Sequence, residues 1–190
     1  MKFIPAGLVL AGLMAGPALS ADKYILDASH SQIVFSYDHR GFSTTYGMFS
    51  GFEGEILFDK ENPANSSVSV SMPVMSMFTG WEARDEHFMS DDFFGASAED
   101  LVTFTSTGIE VTGEDTALIT GDLTMNDITK SVVLDAKLNL AGEHPREGKP
   151  WAGFDATTTL LRSDFGVDIG APFVSDEVAV QISIEAEAAE

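Results

Sequence analysis

From Ser31 to the C-terminus, apolar residues recur at every second position in most of the chain, and that period leaves few folds open. A strand sends successive side chains to opposite faces, so this pattern builds sheets with one dry face and one wet face. Ile33, Phe35 and Tyr37 form the first stripe, and Tyr46 to Phe58 alternates more loosely around Gly47, Gly51 and Gly54, as in a bent or bulged strand. Val68, Val70, Met72 and Val74 follow, then Val102, Phe104 and Ser106, then Ala117, Ile119, Gly121, Leu123 and Met125. Val132, Leu134, Ala136, Leu138 and Leu140 give the cleanest stripe, followed by Phe154 to Leu160 and Val178 to Ile184. Turn chemistry separates these runs, as in DKENPAN (59–65), TGED (112–115) and AGEHPREGKP (141–150). The spacings suit hairpins, so the expected fold is all-β and antiparallel. Eight strands joined in sequence predict an up-and-down β-barrel able to hold one small ligand, with a two-sheet sandwich as the competing architecture.

Period two stops between Gly80 and Ala98, after the third strand and before the fourth. Trp81, Asp85, Phe88 and Met89 fall at helical spacing, with Thr79 as the expected N-cap, so a short helical insertion is predicted. Within it, RDEHFMSDDFF (84–94) crowds five charges, a histidine and three phenylalanines together.

The N-terminus reads as a targeting segment. Lys2 precedes an uncharged apolar run from Phe3 to Ala21 that ends on Ala18-Leu19-Ser20, small residues at the positions a signal peptidase reads. Residues 1–21 are expected to be a cleaved secretory signal, and 22–190 a single domain located in the periplasm. A membrane anchor competes, weakened by Pro5, Pro17 and three glycines. There is no cysteine, so an exported chain must hold its fold by burial and hydrogen bonding alone. The formal charge of −20 excludes nucleic acid as a partner, because phosphate binding needs clustered Lys and Arg; it also disfavours an anionic membrane surface. Acidity of this kind keeps a chain soluble.

No reactive constellation rises above this background. His87 and Asp91 share a helical face that Asp85 or Asp92 could join, but neither a cysteine pair nor a paired-histidine motif accompanies them; no metal is expected. On this reading Arg84–Asp85 and His87–Asp91 are surface pairs of the helix. No GxSxG elbow is present, and His39 shares the inward parity of Phe35 and Tyr37 as a polar group at a pocket mouth. Apolar bulk stands out instead: 14 phenylalanines and eight methionines, with Met72, Met75, Met77 and Phe78 gathered just before the insertion. Unbranched methionines suit pockets that adapt to flexible apolar ligands.

Six collinear stretches then carry a resemblance: YILDASHSQIVFSYDHRGFSTTYGMFSGFEGEILFD (24–59), RDEHFMSDDFF, VTFTSTGIEV (102–111), GDLTMNDITKSVVLD (121–135), LRSDFG (161–166) and DEVAVQISIEAEA (176–188). Across nearly its whole length after residue 21 the chain resembles the YceI-like family of exported bacterial proteins. The resemblance implies a lipocalin-like barrel with a long apolar cavity for a polyisoprenoid such as a quinone tail or polyprenyl chain. It implies no catalytic residues and no catalytic cofactor, and some members are linked to stress or acid response. Three places depart from the family pattern: Asn126-Asp127, Ala98-Glu99-Asp100, and Trp81 where a polar residue is commoner.

The resulting expectation is a carrier for an isoprenoid lipid. Its tail is expected against Phe35, Tyr37, Met72, Phe104 and Phe154, with Met77, Phe78, Trp81, Phe88 and Phe93 closing one end. Each isoprene unit removes ~100 Å² from water, so at ~25 cal/mol per Å² a few units supply several kcal/mol. His39, Arg84, Asp85, His87 and Arg162 are the candidates for touching a head group, with pairing of Arg84 to Asp85 and Arg162 to Asp164 as the structural alternative. A quinone-using membrane protein and a second copy of the chain are the expected macromolecular partners. Two other classes stay open: a lipid- or quinone-modifying enzyme using inward histidines, and a solidly packed structural or stress protein.

Overall fold

A computed structural model describes residues 21–189, so nearly all of the expected signal segment lies outside the described residues. Ten strands follow in chain order: β1 (Asp22–Leu26), β2 (Gln32–His39), β3 (Ser43–Phe49), β4 (Glu53–Phe58), β5 (Ser67–Pro73), β6 (Leu101–Val111), β7 (Thr116–Met125), β8 (Ile128–Glu143), β9 (Pro150–Leu161) and β10 (Glu177–Ala188). Each pairs antiparallel with its neighbours in one sheet. Helix α1 (Glu82–Met89) lies between β5 and β6, where the period-two pattern stops.

These ten segments occupy eight staves of a closed barrel. β10 pairs along one edge with two successive segments, β2 (Val180 opposite Phe35) and β1 (Tyr24 opposite Ala188). β2 in turn pairs with β3, and β1 with β4. The first two staves are therefore broken strands, and the ring closes where β1 meets β10. The barrel has the expected eight-stranded, antiparallel, up-and-down plan, with β1 as a segment that the alternation did not announce.

Both broken staves change parity at their breaks. Odd-numbered Ile33, Phe35 and Tyr37 face the interior from β2, whereas in β1 the even-numbered Tyr24 and Leu26 are buried. Phe49 points inward at the end of β3, and beyond Gly51 (φ +71°) the inward set becomes Phe52, Ile56 and Phe58. Only a residue free to adopt the left-handed region makes such a turn without strain. A bulge between Ser106 and Gly108 likewise moves the inward set of β6 from Val102 and Phe104 to Ile109 and Val111. A second bulge between Leu138 and Leu140 corrects the cleanest stripe in the sequence: Leu140 is turned out to solvent, and Ala141 packs on the core instead.

Near the β1–β4 pairing the interior is filled. Tyr24 and Ala186 are almost wholly buried, and Phe58 meets Tyr24 and Phe154 edge-on at centroid distances of 6.2 and 5.5 Å. Elsewhere the inward side chains border an open space.

Candidate functional site

The unfilled part of the barrel is a cavity of about 620 Å³, within the range of small-molecule sites. Phe35, Met72, Phe104 and Phe154 line it, with Ile33, Val70, Leu134 and Val180 among their neighbours. Two of these rings have room because a glycine lies beneath them. A Cβ on Gly47 would come within 2.2 Å of the Phe35 ring, and one on Gly121 within 2.3 Å of the Phe104 ring. Each ring therefore covers its glycine, in space that a side chain there would fill.

One end of the cavity is the mouth. Tyr37 and His39 from β2, Arg84, His87 and Phe88 from α1, Phe93 beyond it, and Arg162, Ile169 and Val174 from the β9–β10 connection all line this end. Phe88 bridges Tyr37 and Phe93 at ring-centroid distances of 6.4 and 5.0 Å, and His87 stands edge-on to Phe93 at 4.9 Å. These rings make the insertion's dry face, with Arg84 and His87 beside them at the cavity, while Glu82, Glu86, Asp91 and Asp92 are exposed.

The helix is fixed differently from the sequence expectation. Trp81, not Thr79, occupies the N-cap position, and no side chain caps it. Thr79 is buried and joins the two residues expected to pair as a surface ion pair. Its hydroxyl donates to Asp85 Oδ1 and accepts from Arg84 Nε at 2.8 Å, while Arg84 Nη2 donates to the Thr79 carbonyl at 2.7 Å. This clasp ties α1 to the end of the β5 connection. His87 hydrogen-bonds Asp92 at 3.2 Å rather than Asp91, because the helix ends at Met89 and the i,i+4 geometry stops with it. Ser90 closes the last turn by donating its hydroxyl to the His87 carbonyl at 2.6 Å.

Arg162 is buried, and its guanidinium faces four backbone carbonyls: Val167 (2.6 Å), Ser175 (2.9 Å), Val174 (2.9 Å) and Ile169 (3.0 Å). It does not pair with Asp164, whose carboxylate is 3.7 Å from Lys130. Arg162 thus anchors the β9–β10 connection over the mouth. Asp176 supports the same turn by accepting from the Ser163 hydroxyl (2.7 Å) and N–H (2.9 Å). Those bonds, with Arg162 nearby, hold its carboxyl below the ordinary value.

Of the residues expected to meet a tail, Phe35, Tyr37, Met72, Met77, Phe88, Phe93, Phe104 and Phe154 line the cavity. Phe78 and Trp81 do not. Met77 faces inward, so Phe78 beside it faces outward, where it bridges Met48 of β3; with Trp81 it borders a separate shallow groove. Among the polar candidates His39, Arg84, His87 and Arg162 line the cavity, whereas Asp85 borders the outer groove. Sequence reasoning missed Phe49, Phe52, Ile56 and Phe58, since the odd parity of Phe49 carried through Gly51 places the other three outside. The FxxF spacing of Phe49 and Phe52 around Gly51 is the signal for that break.

Away from the cavity, Asp27, His30 and Glu185 gather where β1 gives way to β2, with His30 Nδ1 2.5 Å from Asp27 Oδ2. Partial burial acts to raise the Asp27 carboxyl, but hydrogen bonds from His30 and Ser29 outweigh it and hold the group below its ordinary value. The same hydrogen bond, reinforced by the Asp27 charge, raises His30.

Comparison with known proteins extends this geometry. The model of the YceI-like domain family matches residues 24–186. A UPF0312 protein of Ectopseudomonas mendocina is 42% identical over 188 residues, covering 97% of both chains. Protein YceI of Escherichia coli is 40% identical over 188 residues, again covering 97% of each. Among solved structures, a polyisoprenoid binding domain from Saccharophagus degradans, implicated in plant cell wall breakdown, superposes with a TM-score of 0.67 at 15% identity, covering 87% of this chain and 98% of that one. At that identity the likeness is one of fold.

Proposed function

Because this chain belongs to the YceI-like family, we propose that it binds a long-chain isoprenoid lipid inside its barrel. The observation that carries the reading is the predominantly apolar cavity of about 620 Å³, with the Phe35 and Phe104 rings seated over Gly47 and Gly121. A solidly packed barrel would have no use for such a lumen. The Saccharophagus degradans domain, described as polyisoprenoid binding, supports the same class of ligand.

The tail lies along Phe35, Met72, Phe104 and Phe154, and the head sits at the mouth near His39, Arg84 and His87. Arg162 already directs its donors at four carbonyls, so its part there is to shape the mouth rather than to bind the head. A neutral quinone-like head suits a chain of charge −20 better than a diphosphate. The residue 1–21 pattern supports export, which makes the periplasm the compartment of action and a quinone-using membrane protein the natural exchange partner.

Native mass spectrometry of protein purified without detergent, followed by lipid extraction, tests the reading. The expected result is a bound polyprenyl-bearing mass. Added polyprenol at a hundred times its Kd should also stabilise the fold by ~2.7 kcal/mol, or about 5–10 °C in Tm for a domain of this size. Recovery of no lipid together with an unmoved Tm would overturn it.

A further inference from the structure

The rim of the mouth carries apolar side chains that the cavity does not use. Phe42, in the β2–β3 turn, is 90% exposed, and Phe173, in the β9–β10 connection, is 77% exposed. The chain holds the two segments together. Val174 bridges His39, Ser175 N–H donates to the Asp38 carbonyl at 3.0 Å, and Asp38 N–H donates to Ser175 Oγ at 3.1 Å. Arg162 fixes the same connection from inside through the Ile169, Val174 and Ser175 carbonyls. Phe173 therefore stands beside the turn that presents Phe42. Val174 and Ile169 line the cavity, and Ile169 is also 47% exposed, so apolar surface runs from the outer rim into the lumen. Trp81, 66% exposed, begins the helix whose Phe88 lines the same end.

We propose that Phe42, Phe173 and Ile169 form a docking rim for the surface of a zwitterionic phospholipid bilayer, through which the cavity is loaded and emptied. This rests on the lipid-binding reading for its purpose. A polyprenyl chain is stored in bilayers and does not cross water readily, so a lumen that receives one needs an apolar path from the membrane. Exposed aromatics next to a cation match the interfacial zone of a bilayer, and Arg40 in the same turn is exposed and free to reach a lipid phosphate. Charge selects the bilayer: a chain of −20 is repelled by an anionic surface, which leaves a net-neutral one.

The test is flotation of the processed chain, from residue 22 onward, with phosphatidylcholine vesicles, comparing wild type, Phe42→Ser/Phe173→Ser and Phe42→Leu/Phe173→Leu. Wild type should float, the serine pair should partition on the order of tenfold less, and the leucine pair should stay close to wild type. Replacing half of the lipid with phosphatidylglycerol at low salt should weaken binding. The serine pair should bind a dansyl-labelled polyprenol with unchanged affinity in detergent-free solution, yet load it from vesicles severalfold more slowly. Equal flotation of wild type and the serine pair would overturn the proposal, as would a wild type that takes up polyprenol without binding vesicles. Rim-dependent self-association without vesicle binding would assign the rim to a second copy and overturn it too. Vesicle binding that persists while no polyprenol is taken up would support the rim and sink the cavity reading instead.

Discussion

Asp27 and His30 show how one exposed contact can give stability a pH window. The lowered Asp27 contributes above the ordinary carboxylate value near 3.8, and its contribution fades as pH falls through the lowered native value. The raised His30 contributes below its ordinary 6.5, and loses that contribution as pH rises through the raised native value. Both act together between about pH 4 and 6.5. The Tm gap between wild type and Asp27→Asn should be widest in that window, narrow on either side, and shrink in 1 M salt. A gap that stays constant from pH 4 to pH 9 would mean the contact is not electrostatic. At this same scale the sequence was partly legible. Arg162 and Arg84 stood out as cations in distinctive motifs, but their partners are carbonyls and a threonine hydroxyl set by the path of the chain, which residue spacing does not encode.

Elements explain why most of the lumen could be read from alternation and why some of it could not. Within an unbroken strand parity is conserved, so Phe35, Met72, Phe104 and Phe154 were legible as inward residues. A bulge or a positive-φ glycine resets parity with no change in composition, which hid Phe52, Ile56, Ile109 and Val111 and misdirected Leu140. The insertion was legible as a short helix because the period changed, but its N-cap was not, since Thr79 answers to Asp85 and Arg84 instead. The glycines under the rings yield an element-scale prediction. Gly47→Ala should force the Phe35 ring into the lumen, and Gly121→Ala should crowd both the Phe104 ring and the Thr105 carbonyl. Each should cost about 1–3 kcal/mol in urea unfolding. Each should also cut binding of long polyprenols more than short ones in competition assays. Equal loss across chain lengths would argue that the rings do not border the tail.

At the scale of the whole molecule, the closed eight-stave plan followed from counting stripes, whereas the β1–β10 pairing that closes it did not, because pairing between distant strands leaves no local signature. That closure sets the order in which the molecule can be made. Tyr24 and Ala188 lie side by side although almost the entire chain separates them, and the Asp27 N–H donates to the Glu185 carbonyl at 2.9 Å across the same join. Bringing such remote segments together carries the largest loop-closure entropy in the fold, so refolding should run in the millisecond-to-second range of high-contact-order β proteins. Stopped-flow refolding in the presence of dansyl-polyprenol should show probe binding only in the slowest phase, after tryptophan fluorescence has begun to change; binding in the first phase would contradict this. A chain whose container exists only once its last strand has met its first cannot shelter cargo while being synthesised. It is born empty, and whatever it carries must be acquired as a finished barrel.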